Sequence, residues 1–124
     1  MKIFITLENV LIDSYGILRP GTHAFISELI DAEFQVYLWS SYGMEYVRRT
    51  AEKHEFPSVH GYMVRGGIDR IGVDYVVDAD PVFMVKYPGI CVKEYNSMAY
   101  DLRDIDYLSN IFKKILADVK KERL

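Results

Sequence analysis

The sequence predicts a single α/β domain spanning residues 1–124, built on a mainly parallel five-stranded sheet with helices on both faces. Three observations lead there. Short apolar runs of strand length alternate with segments whose apolar residues recur at helical spacing, the pattern of a parallel sheet with crossover helices. No repeat, low-complexity tract or linker-like composition divides the chain, and its length suits one domain. Half of the residues are apolar, enough for one substantial core.

The elements follow in order. Lys2 to Leu7 is a short apolar run, as expected of a strand buried on both faces. Pro20-Gly21-Thr22 punctuates the chain, with Thr22 as candidate N-cap; Phe25, Ile26, Leu29 and Ile30 then repeat at helical spacing. Gln35 to Trp39 is the second strand, broken by Tyr42-Gly43. Met44, Val47 and Ala51 mark one face of a helix reaching His54. Val59 to Val64, closed by Gly66-Gly67, is the third strand, Val73 to Val77 the fourth, and Ile90-Cys91-Val92, after Pro88-Gly89, the fifth. The last helix is the clearest. Ile105, Leu108, Phe112, Ile115 and Val119 form an apolar stripe that Ile111 and Leu116 broaden, and Lys113, Lys114, Lys120 and Lys121 lie off it.

Composition excludes several classes. A net charge of −3 gives no bulk attraction to nucleic acid or anionic membrane, and no aromatic and basic interleaving marks a nucleic-acid platform, so no DNA partner is expected. No apolar run approaches a membrane span of roughly 18 residues, and the N-terminus lacks a signal-peptide pattern. Cys91 is the only cysteine, which fits a reducing compartment; a soluble cytoplasmic protein is the expectation.

Three strand ends carry chemistry. Lys2 to Ile5 leads into Thr6, with Glu8, Asn9, Val10 and Leu11 following. Val36-Tyr-Leu-Trp leads into Ser40-Ser41. Val73-Asp-Tyr-Val-Val leads into Asp78-Ala-Asp80-Pro81. In order and spacing, across residues 2 to 81 and including Arg19-Pro20-Gly21 before the first helix, this resembles the haloacid dehalogenase (HAD) superfamily of phosphohydrolases. The first motif of that family is a strand followed by Asp-x-Asp-Gly-Thr/Val-Leu. Thr6 stands at the position of its nucleophilic Asp, Glu8 at that of its acid/base Asp, and Asn9 at the glycine. Too few residues separate the first motif from Arg19 for a cap domain, and capless members of the family act on large substrates or work with partners.

The resemblance implies roles that the residues only partly support. A phosphoaspartyl mechanism needs a carboxylate to attack phosphorus, with Mg²⁺ neutralising the phosphate. Thr6 has none and removes a metal ligand. A threonine nucleophile needs a base, and Glu8, two residues on in an extended chain, lies about 7 Å away unless the loop curls. Asn9 suits the glycine position because Asn enters left-handed backbone conformations. Ser40 matches the phosphate-binding hydroxyl of the second motif; with Ser41 it is equally a candidate cap of the following helix. For the basic residue of the third motif the candidates are Arg65 and Arg70 before the fourth strand and Lys86 after it, and Arg70 joins Ser40 and Ser41 as the expected phosphate contact. Glu8, Asp78 and Asp80 are the expected Mg²⁺ ligands, holding the ion weakly or not at all without a carboxylate at position 6. The plainer role of Asp78 and Asp80 is helix entry beside Pro81. His23, His54 and His60 have no metal-ligand spacing; Tyr42, Tyr46 and Trp39 suit a pocket mouth, although Trp39 by itself better suits the core.

The expectation is thus a HAD-like protein with a degenerate phosphatase site, non-catalytic, binding a phosphorylated ligand or a protein partner. The alternative is a divergent Mg²⁺-dependent phosphohydrolase.

Overall fold

The computed structural model describes residues 1–68, 72–99 and 105–122. Five strands, β1 (Lys2–Thr6), β2 (Gln35–Ser40), β3 (Gly61–Val64), β4 (Tyr75–Asp78) and β5 (Gly89–Cys91), form one all-parallel sheet in the order β3-β2-β1-β4-β5. The helices are α1 (Thr22–Asp31), α2 (Met44–Lys53), α3 (Pro81–Met84) and α4 (Tyr107–Glu122). This is the expected single Rossmann-like α/β arrangement, with β1 at the centre.

Side chains alternate along β1 and divide the core in two. Ile3, Ile5 and Leu7 join Phe25, Ile26 and Leu29 of α1, Val47 of α2, and Leu108, Ile111, Ile115 and Val119 of α4 in one buried cluster. Phe4 points the other way, joining Trp39, Val73 and Val76, with Phe83, Met84 and Tyr87 packed against them. Burial of each of these side chains stabilises by about 1.5–3 kcal/mol. The second face is thus covered largely by aromatic rings: Phe4 stacks on Tyr37 at 4.7 Å, and Trp39 makes T-shaped contacts with Phe83 and Tyr87, each at 5.8 Å.

Several local expectations are corrected. Gly21, at φ 85°, is the N-cap of α1; Thr22 is its first helical residue and donates its hydroxyl back to the Arg19 carbonyl at 2.7 Å. Gly43 caps α2, so neither Ser40 nor Ser41 does. The α4 stripe begins at Leu108, because Ile105 precedes the helix and is 58% exposed. β3 and β4 each start two residues later than expected, and β4 reaches Asp78. No described helix is long and apolar enough to cross a membrane.

The order 3-2-1-4-5 reverses direction beside β1. In open α/β sheets the crevice beyond the carboxyl ends of the strands at such a point is where ligands bind. Thr6, Ser40, Val64 and Asp78 end the four strands that meet there.

Candidate functional site

The loop after β1 is wound tightly enough to turn Glu8 away from Thr6. The Leu7 carbonyl accepts the N–H groups of Leu11 and Ile12 at 3.0 and 3.1 Å, and Asn9 takes the left-handed conformation at φ 65°. A short hairpin follows, bridged at Ile12 and Leu18. The two first-motif residues consequently find different partners.

Thr6 is 1% exposed. Its hydroxyl donates to Asp78 Oδ2 at 2.5 Å and accepts the Trp39 indole N–H at 2.8 Å. Glu8 accepts the Ser40 hydroxyl at 2.7 Å, the Ser41 hydroxyl at 2.8 Å and the Ser41 N–H at 3.1 Å. Ser40 in turn accepts the Tyr42 N–H at 3.1 Å. The donors expected to hold a phosphate are therefore directed to the Glu8 carboxylate.

Asp78 is the hub. Besides Thr6, its Oδ2 accepts Arg65 Nε at 2.9 Å; its Oδ1 accepts the other arm of the guanidinium at 3.2 Å and the Asp80 N–H at 2.9 Å. Asp80 caps α3, accepting the Val82 N–H at 2.9 Å, as the helix-entry reading anticipated. Its other oxygen lies 3.6 Å from Arg65. Arg65 follows β3 directly, and its backbone N–H continues the sheet ladder to the Ser40 carbonyl at 2.9 Å. Its guanidinium lies 3.8 Å from the centre of the Phe83 ring. Burial works against the charge, but hydrogen bonding to Asp78 and the charges of Asp78, Glu8 and Asp80 outweigh it and hold the Arg65 pKa above its ordinary value. Arg70 lies outside the described residues.

As arranged, Glu8, Asp78 and Asp80 do not fit a divalent ion. Each Asp78 oxygen already accepts two hydrogen bonds, Glu8 is held by the two serines, and one Asp80 oxygen caps a helix. Among the described residues no group of three His, Cys, Asp or Glu side chains is placed to hold a metal. Cys91 lies on the neighbouring strand; burial and the charges of Asp78 and Asp80 push its thiol pKa up, so it is a poor nucleophile.

Glu8, Ser41, Arg65, Asp78 and Asp80 edge a cleft of about 950 Å³, and the buried Thr6 and Ser40 lie behind them. Among the described residues five carboxylates line it, those of Glu8, Asp13, Asp78, Asp80 and Glu94, against a single cation, Arg65. Tyr15, Tyr42 and Tyr46 line it too; Tyr42 is 72% exposed and meets Tyr46 at 5.3 Å. Trp39, by contrast, is core.

One residue of this region, Asp13, escaped the sequence reading, and another, Arg19, was read only as part of the entry to the first helix. Asp13 is buried, accepting the N–H groups of Tyr15 and Ile17 at 3.0 Å each on one oxygen, and the Ser97 N–H at 2.8 Å together with the Ser97 hydroxyl on the other. Burial alone would raise its pKa, but these donors hold it below the ordinary aspartate value. The run Asp13-Ser-Tyr-Gly16 carries a turn signature; nothing in it announces Ser97. Arg19 is also buried. It donates to the carbonyls of Val10 at 3.1 Å and Lys93 at 3.0 Å, with the Tyr107 ring 4.4 Å from its guanidinium.

Comparison of the chain with protein-family models, curated proteins and solved structures finds no match.

Proposed function

We propose that this chain is a HAD-like domain that has given up phosphoryl transfer and works by binding, with a protein partner as the ligand class, in a cytoplasmic setting. The observation that carries this reading is Thr6. It ends the central strand where a phosphohydrolase of that family needs a carboxylate nucleophile, and its hydroxyl is fixed between the Trp39 indole and Asp78. Of the two ligand classes expected from sequence, charge favours the protein partner. Among the described residues a phosphorylated ligand would meet five carboxylates and one cation already matched to Asp78, and the serines that would hold its oxygens bind Glu8.

A second reading has one observation in its favour. A threonine whose hydroxyl donates to a buried carboxylate has a base at hand, the minimum for a hydroxyl nucleophile. That favours the alternative of a divergent phosphohydrolase, with Thr6 as nucleophile and Asp78 as its base, but not its Mg²⁺ dependence, since these carboxylates as arranged do not fit the ion.

The deciding experiment is hydrolysis of a generic aryl phosphate with Mg²⁺ present. The expected result is that wild type and Thr6→Ala do not differ from the uncatalysed rate, and that inorganic phosphate leaves the melting temperature unchanged. Turnover by the wild type that Thr6→Ala abolishes overturns the binding reading in favour of the second.

A further inference from the structure

We propose that Arg65 is a tethered cation which takes, at these strand ends, the charge-neutralising place of a divalent metal ion, so that the site is complete without metal, and that removing its guanidinium creates a site for a hard divalent cation.

Three carboxylates, Glu8, Asp78 and Asp80, act electrostatically on Arg65, and Asp78 is 2% exposed. A carboxylate so deeply buried is stable only with a partner. Arg65 provides it through a forked contact to both Asp78 oxygens, 2.9 and 3.2 Å, while its second nitrogen faces Asp80 at 3.6 Å. The side chain does not enter this position by chance of exposure. It is 19% exposed, its backbone is fixed to β2 through the Ser40 carbonyl, and its flat face rests on Phe83. A planar guanidinium suits this geometry, with two parallel donors for one carboxylate and a π face for the ring.

Without the guanidinium, Asp78 keeps only Thr6 and the Asp80 N–H as donors, and its Arg65-facing lone pairs open beside Asp80. Oxygen ligands of that kind, with water completing the shell, are what Mg²⁺ and Mn²⁺ select. The inference concerns charge balance and holds whether or not the site turns over a substrate.

The test is thermal unfolding and calorimetric titration of the wild type, Arg65→Ala and Arg65→Gln, in chelator, in millimolar Mg²⁺, and in monovalent salt of equal ionic strength. Arg65→Gln retains side-chain length over Phe83 and guards against loss of packing. The wild type is expected to melt at one temperature in all three media. Both variants are expected to melt lower in chelator, to recover part of the loss in Mg²⁺ but not in monovalent salt, and to bind Mg²⁺ at least about tenfold more tightly than the wild type, equivalent to about 1.4 kcal/mol. A variant unfolded in chelator that Mg²⁺ refolds supports the proposal. Micromolar Mg²⁺ binding by the wild type overturns it, as do variants whose folding, intact or lost, ignores Mg²⁺. Aryl phosphate turnover would count against the binding reading alone and leave these melting results standing.

Discussion

Trp39 and Thr6 are register partners across β1 and β2, and the indole N–H of one donates to the hydroxyl of the other at 2.8 Å. Both side chains are buried, so neither group can turn to water. Thr6→Val keeps the shape and deletes the hydroxyl, leaving the indole N–H without its acceptor and Asp78 short of one donor. An unsatisfied buried polar group costs about 1–3 kcal/mol. We expect Thr6→Val to lose about 2 kcal/mol in urea unfolding, followed by the fluorescence of Trp39, the single tryptophan. Unchanged stability would show that this hydrogen bond contributes nothing net.

Asp13 links stability to acid. Its pKa in the folded protein lies below the ordinary value of 3.8, because the donors of Ser97, Ile17 and Tyr15 outweigh burial. A depressed carboxylate pKa stabilises the fold above the unfolded-state value, and that stability is lost as pH falls through the folded-state value. The Asp13 contribution should therefore be complete at neutral pH and drain away from about pH 3.8 downward. Asp13→Asn is expected to be less stable than wild type at pH 7 and to converge on it below that window. Parallel pH profiles for the two proteins would refute this.

Gly89 opens β5 at φ 151°, and a β-carbon there would stand 2.0 Å from the Val76 carbonyl oxygen. That oxygen is backbone in a paired strand and cannot step aside. Gly89→Ala should cost on the order of 3 kcal/mol, the upper end of overpacking, or displace β5 from the sheet. Loss of amide-exchange protection at Ile90 and Cys91, with β1 and β2 protected as before, is the expected signature. A variant that melts like the wild type contradicts the close approach.

His54 follows α2, and its Nε2 is buried without a hydrogen-bond partner among the described residues. Burial, with the charges of Lys53 and His23, lowers its pKa below 6.5. The folded state thus resists a proton that the unfolded state accepts, so stability falls as pH drops through 6.5. An NMR titration should place the His54 midpoint below 6.5, and His54→Phe should flatten the stability profile around that pH. A midpoint above 6.5 would overturn the assignment.

The sheet was legible because apolar runs at Lys2–Thr6, Gln35–Ser40 and Tyr75–Asp78 report strands, and alternation with helical segments implies parallel pairing. Topology then carried Thr6, Ser40 and Asp78 to one edge. Their bonding partners were not legible. Arg65 lies 13 residues from Asp78, Arg19 is 74 from Lys93, and Asp13 is 84 from Ser97. Such pairings leave no periodic trace. The α4 stripe was drawn one turn too early at Ile105 because spacing alone does not register where a helix begins. The serines at the end of β2 carried ordinary capping chemistry, but Glu8 offered their donors a charged acceptor, and Gly43 was left to cap α2.

The loop after β1 is finished by residues far along the chain. The Asn9 carbonyl waits for the Tyr95 N–H at 2.8 Å, Asp13 for Ser97, and Arg19 for the Lys93 carbonyl. During synthesis the first strand and its loop leave the ribosome early, yet neither these contacts nor the β4 flank of β1 exists until roughly 70 to 85 residues have followed, and closing so long a loop is slow because its entropy is lost before any contact repays it. The cleft is consequently among the last parts to form, and a chain caught midway exposes Phe4, Ile5 and Leu7 unpaired on a bare strand edge. For this protein the aggregation hazard during folding sits in the same residues that later anchor the site.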